Sequence, residues 1–188
     1  MKKRVLSLVL TTVVGASSMA NTTEKETKEV KAEESTVTWK AYKFGGSHTG
    51  TVTLKSGEFD GDKLVGGEFV VNMASINTTD LEGEYKDKLD GHLSSDDFFS
   101  TAANPTSKLV FTKVKSTGKN SYEVTGDLTI KGITKPVTFD VSVYGNKATA
   151  TLKVDRTKYD IKYSSGIIGT AKDKLIYDEF DLVVDLQM

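Results

Sequence analysis

The sequence predicts an all-β protein, an antiparallel barrel of about eight strands with one helical insertion. Three observations carry this prediction. From Thr36 onward apolar and polar residues alternate with a period of two, the pattern of strands with one buried face. Turn formers separate successive runs at hairpin spacing, and no βαβ spacing is present. One segment, Thr79 to Ser100, breaks the rhythm and sets Leu81, Tyr85, Leu89 and Leu93 on a single helical stripe.

The runs follow in order. Val37, Trp39 and Ala41 share one parity; His48, Gly50, Val52 and Leu54 share a face against Thr49, Thr51, Thr53 and Lys55. Val65, Gly67, Phe69, Val71 and Met73 alternate with Glu68 and Asn72. In the helical insertion Gly91 is expected to interrupt the stripe, Ser94 or Ser95 to cap a second turn through Phe98 and Phe99, and Pro105 to end it. The strand pattern resumes with Leu109 and Phe111, then Tyr122, Val124, Leu128 and Ile130, then Val137, Phe139, Val141 and Val143. Ala148 to Val154, Tyr159 to Tyr163 and Phe180 to Leu186 complete the series. Asp60-Gly61, Gly118-Lys119-Asn120, Lys131-Gly132 and Gly145-Asn146 supply the turns. Gly50, Gly66, Gly67 and Gly126 fall inside or beside strands, where a missing side chain permits a bend, a bulge or a close approach.

Three segments divide the chain. Residues 1–20 read as a secretory signal: Lys2, Lys3 and Arg4, an apolar run from Val5 to Ala16, and a small-x-small site at Ser18-Met19-Ala20. That run is well short of the ~20 residues that span a bilayer. Export implies a periplasmic or secreted protein. Residues 21–35, rich in Glu and Lys with only Val30 and Ala32 apolar, read as a solvated linker. Residues 36–188 form the domain.

Composition removes several functions. A formal charge of −1 with lysines spread singly leaves no basic stripe for nucleic acid. The absence of cysteine excludes disulfides, thiol catalysis, thiolate metal sites and lipid attachment at the cleavage site. Neither a G-x-S-x-G elbow nor a P-loop is present, and two histidines 44 positions apart make no zinc motif. Asp60-Gly61-Asp62 reads as a hairpin and Asp96-Asp97 as an acidic first helical turn. The expectation is a protein without catalytic residues, metal or cofactor.

Six stretches then carry a family resemblance: His48-Thr49-Gly50-Thr51-Val52, Gly67-Glu68-Phe69, Met73-Ala74-Ser75-Ile76 leading to Asp80, the run from His92 to Phe99, the run from Gly126 to Val137, and Arg156-Thr157-Lys158-Tyr159. In this order and spacing they resemble the YceI-like family of exported lipid- or polyisoprenoid-binding proteins. The resemblance implies an extended lipocalin-like antiparallel barrel with a long-chain lipid or isoprenoid ligand, of polyisoprenoid or fatty-acid/amide type, inside. Trp39-Lys40-Ala41-Tyr42-Lys43 and Ala102-Ala103-Asn104-Pro105 depart from the family pattern.

Parity and resemblance together nominate as ligand-contacting His48, Val52, Leu54, Phe69, Val71, Met73, Leu89, Phe98, Phe99, Phe111, Leu128, Ile130, Phe139, Val141, Arg156 and Tyr159. His48 is in phase with Val52 and points inward, either as a polar anchor or as a buried histidine satisfied by its surroundings. His92 reads as a helix cap or surface contact. Arg156 interrupts an apolar run and meets either a ligand's polar end or a barrel aspartate. The insertion, with its apolar stripe, is expected to cover one mouth of the barrel. The leading reading is an exported non-enzymatic carrier; the alternative is a stress-related or structural module with a side-chain-filled barrel and an external working surface.

Overall fold

A computed structural model describes residues 27–61 and 63–188; residues 1–20, read above as a secretory signal, and 21–26, read as linker, lie outside these. The strands are β1 Thr27–Glu29, β2 Thr36–Lys43, β3 Gly46–Asp60, β4 Gly66–Thr78, β5 Thr106–Ser116, β6 Ser121–Ile130, β7 Ile133–Tyr144, β8 Lys147–Asp155 and β9 Ile176–Gln187. All neighbours pair antiparallel, in the order β3-β2-β9-β8-β7-β6-β5-β4, and β4 returns to β3. The sheet is thus an eight-stranded closed barrel. Closure leaves no edge in the wall.

Alternation holds in the wall because one face of each strand is inside. Val124, Leu128 and Ile130 of β6 are buried, as are Phe139 and Val141 of β7 and Leu152 and Val154 of β8. Gly50 is required for a close approach. A Cβ there would lie 2.2 Å from the Asn77 carbonyl oxygen and 2.4 Å from the Trp39 ring, so any side chain would displace the tryptophan or the β4 backbone.

Four expectations are corrected. Residues 27–35 are not a solvated linker: β1 pairs with Glu58 to Asp60, Val30 is buried, and the Val30 and Lys31 amides donate to the Gly57 and Gln187 carbonyls. Two apolar side chains suffice there because the segment straps one end of the barrel, and β3 and β9 accept its amides. Val65 lies outside β4 and is exposed. Tyr159 to Tyr163 form no strand. The Asp155 carboxylate accepts from the Thr157 amide (3.0 Å) and hydroxyl (2.6 Å), turning the chain into a 3-10 turn at Arg156–Tyr159 that ends on Asp160 in the left-handed region.

The fourth concerns the insertion. Helix α1, Gly83–Ser94, runs through Gly91 without interruption. Gly91 is exposed with open space around it, so it costs only the ~1 kcal/mol of its helix propensity. The stripe packs over its second half alone. Leu93 is buried and Leu89 half-buried, whereas Tyr85 is 76% exposed and Leu81 precedes the helix.

The barrel ends differ. α1 lies near the start of β3, where Gly50 pairs with Thr78, and β1 lies at its other end. Beside β1, Phe59, Phe69, Phe111 and Phe139 form a chain of rings with successive centroids 5.1, 5.4 and 5.8 Å apart. These aromatics make an apolar floor, and α1 makes a roof.

Candidate functional site

Two cavities occupy the interior. The upper, about 170 Å³, is roofed by Leu89, His92 and Leu93 of α1 and by Phe98 and Phe99 after it; its walls include Trp39, His48, Val52, Met73, Ile130 and Phe180. The lower, about 90 Å³, lies over the aromatic floor and is walled by Leu54, Val141, Leu152 and Leu186. Val37, Val71, Ser107, Leu128 and Leu182 line both. These five stand between the two chambers.

The nominated residues separate between these chambers. His48, Val52, Met73, Leu89, Phe98, Phe99, Ile130 and Arg156 line the upper; Leu54, Phe69, Phe111, Phe139 and Val141 line the lower; Val71 and Leu128 line both. Tyr159 lines neither. It is 1% exposed and packed in the core, its hydroxyl has no partner, and burial, with the Asp155 carboxylate adding to it, pushes that hydroxyl up to about 12.

Arg156 begins the 3-10 turn rather than interrupting a strand, and its polar capacity is committed to the fold. Nε donates to the Tyr177 carbonyl (3.1 Å), Nη1 to Ile161 (2.8 Å) and Nη2 to Ile176 (2.9 Å). Asp178 stands 3.6 Å away, and the Phe98 ring centroid is 5.6 Å from the guanidinium carbon. Burial pulls the guanidinium below its usual range, against Asp178 and Asp155. The side chain thus pins the 161–177 loop to the barrel and gives the chamber a cation-supported aromatic wall.

His48 faces inward as its parity predicts, with a carboxylate partner: Nδ1 is 3.0 Å from Asp80 Oδ2. The Thr49 amide donates to Asp80 Oδ1 (3.1 Å). Burial pushes the Asp80 carboxyl up, but Thr49 and His48 outweigh it and hold it below the usual carboxylate range. The pair ties β3 to the segment entering α1. A second fastener follows: Asp90 of α1 accepts from the Thr78 amide (2.8 Å) and hydroxyl (2.6 Å) and pairs with Lys86.

Sequence reasoning misplaced His92. It is neither a cap nor a surface contact: its ring stacks edge-on against Tyr163 (4.5 Å) and Phe98 (5.0 Å), and its Nε2 is buried without a hydrogen-bond partner. The signal was present, because His92 stands three residues after Leu89 and so shares its helical face. Ser107 was missed as well. Its buried Oγ has no partner, and a serine in an otherwise apolar set gives no periodicity signal.

Fold and chambers define a closed antiparallel barrel with an apolar interior under a helical roof. The chain belongs to the YceI-like domain family, which matches residues 29–188. A UPF0312 protein of Pseudomonas putida (strain W619) is 32% identical over 146 residues, covering 77% of this chain and 74% of that protein. Another, from Shewanella denitrificans, is 40% identical over 87 residues, a match spanning 46% of this chain and 44% of the relative. BcnA of Burkholderia cenocepacia shares the fold with a TM-score of 0.65 at 22% identity, over 84% of this chain and 98% of that one. A polyisoprenoid binding domain from Saccharophagus degradans does so with a TM-score of 0.60 at 16% identity, over 85% and 97%.

Proposed function

We propose that this protein is an exported, non-enzymatic carrier that holds one long apolar chain, of isoprenoid or fatty-acid/amide type, along the axis of its two chambers. The observation that carries the reading is the pair of apolar cavities that share five lining residues. A barrel filled by its own side chains, the alternative reading, would leave no such cavities. Family membership supports the carrier, as does the shared fold of the Saccharophagus degradans polyisoprenoid binding domain.

Capacity sets the ligand's size. At ~10–15 Å³ per water-sized group, the upper chamber holds about a dozen such groups and the lower about half as many. An unbranched chain of roughly twenty carbons fills both. The nominated residues other than Tyr159 are its contacts, with His48 a polar group in the wall of the upper chamber. Mass spectrometry of protein purified without detergent tests the proposal. A copurified apolar compound near one per protein is the expected result; an empty barrel that also takes up no fatty acid or isoprenoid alcohol overturns it.

A further inference from the structure

One rim of the barrel leaves large apolar side chains in water. Phe44, at the β2–β3 turn, is 44% exposed; Ile167 and Ile168, in a 3-10 turn of the 161–177 loop, are 60% and 58% exposed. They belong to one surface. The Phe44 amide donates to the Leu175 carbonyl (2.8 Å), and Leu175 packs within 3.6 Å of the Cβ position of Gly166, beside Ile167. Such residues at protruding turns are suited to insertion rather than to flat packing.

Charge on this rim has one sign in excess. Lys43, Lys172 and Lys174 are exposed, Lys172 Nζ lies 5.3 Å from the Phe44 ring centroid, and Asp173 is the carboxylate set between the last two. On the barrel wall Lys108 pairs with Glu68 and Lys153 with Asp181; among the described residues none of the three rim lysines has an ion-pair partner. Unpaired cations around protruding apolar tips match an anionic, apolar-cored partner.

The rim is also continuous with the upper chamber. β2 and β9 pair at Ala41–Phe180 and next at Lys43–Ile176, so β9 spends two more residues than β2 across that interval. At this bulge Tyr42, Ile176 and Tyr177 line both the chamber and a groove on the outside. A passenger too apolar for water needs such a path adjoining its source.

We propose that this rim docks on anionic lipid bilayers and turns the irregular β2–β9 seam toward the membrane. The proposal rests on the carrier reading for its purpose, and the test separates the two. Flotation compares vesicles of phosphatidylcholine with vesicles containing phosphatidylglycerol, and ligand content is measured on the same preparations. Wild type is expected to float with the anionic vesicles and far less with neutral ones. Phe44→Ser/Ile167→Ser/Ile168→Ser and Lys172→Glu/Lys174→Glu are each expected to reduce flotation roughly ten-fold or more. Their far-ultraviolet spectra and ligand content stay those of wild type. Tyr144→Ser, an exposed aromatic at the β7–β8 turn, serves as the control and floats like wild type. Rim-dependent flotation of a protein without ligand supports docking while the carrier reading falls. A ligand-loaded protein that ignores anionic vesicles, or rim variants that float like wild type, overturns docking and leaves the carrier reading standing.

Discussion

Plugging the passage between the chambers separates carriage from folding. Ser107 lines both chambers, is 7% exposed, and has a hydroxyl without a partner. Ser107→Leu fills the passage. Overpacking a core site costs about 1–3 kcal/mol, and removing a buried unpaired hydroxyl recovers about 1–3 kcal/mol, so the empty barrel's stability should change by no more than about 2 kcal/mol. Ligand binding should change far more. The lower chamber, at about 90 Å³, takes on the order of six methylenes at ~10–15 Å³ each. At about 0.8 kcal/mol per buried methylene, losing them costs about 5 kcal/mol, or roughly 10³–10⁴-fold in affinity. Displacement of a fluorescent fatty acid by a ladder of saturated acids reads this directly. Wild-type affinity should climb to about twenty carbons, and that of Ser107→Leu should level off near a dozen. A folded variant whose affinity climbs as far as wild type refutes the two-chamber reasoning.

Asp90→Ala should destabilise the protein by about 1–2 kcal/mol at neutral pH, because the amide and hydroxyl of buried Thr78 lose their acceptor, the half-buried Asp90 carboxylate. Burial pushes the Asp90 carboxyl up, but Lys86 and Thr78 outweigh it and hold it low, so its contribution is present above the ordinary carboxylate range and lost as pH falls through its native value. Denaturant titrations at neutral and strongly acid pH should therefore show the gap between wild type and Asp90→Ala narrowing in acid, and an unchanged gap contradicts the assignment. Tyr159→Phe should be neutral or stabilising by about 1 kcal/mol, since it removes an unpartnered hydroxyl. The unfolded tyrosine ionises near 10 and the folded one at about 12, so wild type loses stability as pH rises through that window and the variant should lose less. Equal alkaline loss in both would show that Tyr159 is not the group responsible.

The walls were legible because burial on a strand is a local, period-two property: Val52 and Leu54, or Phe139 and Val141, declare their face from neighbours two residues away. The same parity sent these residues to the lower or upper chamber and set His48 inward. Legibility failed where long-range partners decide. Residues 27–35 look solvated because their hydrogen-bond partners, Gly57 and Gln187, are distant in sequence. Tyr159 alternates as a strand residue would, but a side-chain cap from Asp155 turns the chain before any neighbour can pair with it. The sequence shows Asp80 only as the end of a motif, since a carboxylate's partner 32 residues away leaves no mark on spacing.

The contrast between the barrel's ends decides where a ligand exchanges. Opening the floor strips Phe59, Phe69 and Phe111 of their contacts, at about 1.5–3 kcal/mol for each side chain returned to water. It also breaks the strap that β1 and Lys31 lay across β3 and β9. The roof is fastened otherwise. Asp80 and Asp90 hold α1 and its approach by hydrogen bonds at partly exposed sites, where water replaces each lost partner and the net cost is about 0.5–1.5 kcal/mol apiece. Leu89 and Phe99 are only half-buried, so their release adds less than that of the floor aromatics. Between the ends, the ladders slip at β2–β9, where two residues of β9 lack counterparts, at β3–β4, where Thr51–Asn77 is followed by Thr53–Asn72, and at β5–β6 beside Phe111. The cheapest route to the upper chamber therefore runs beneath α1, and the lower chamber is reached through the upper.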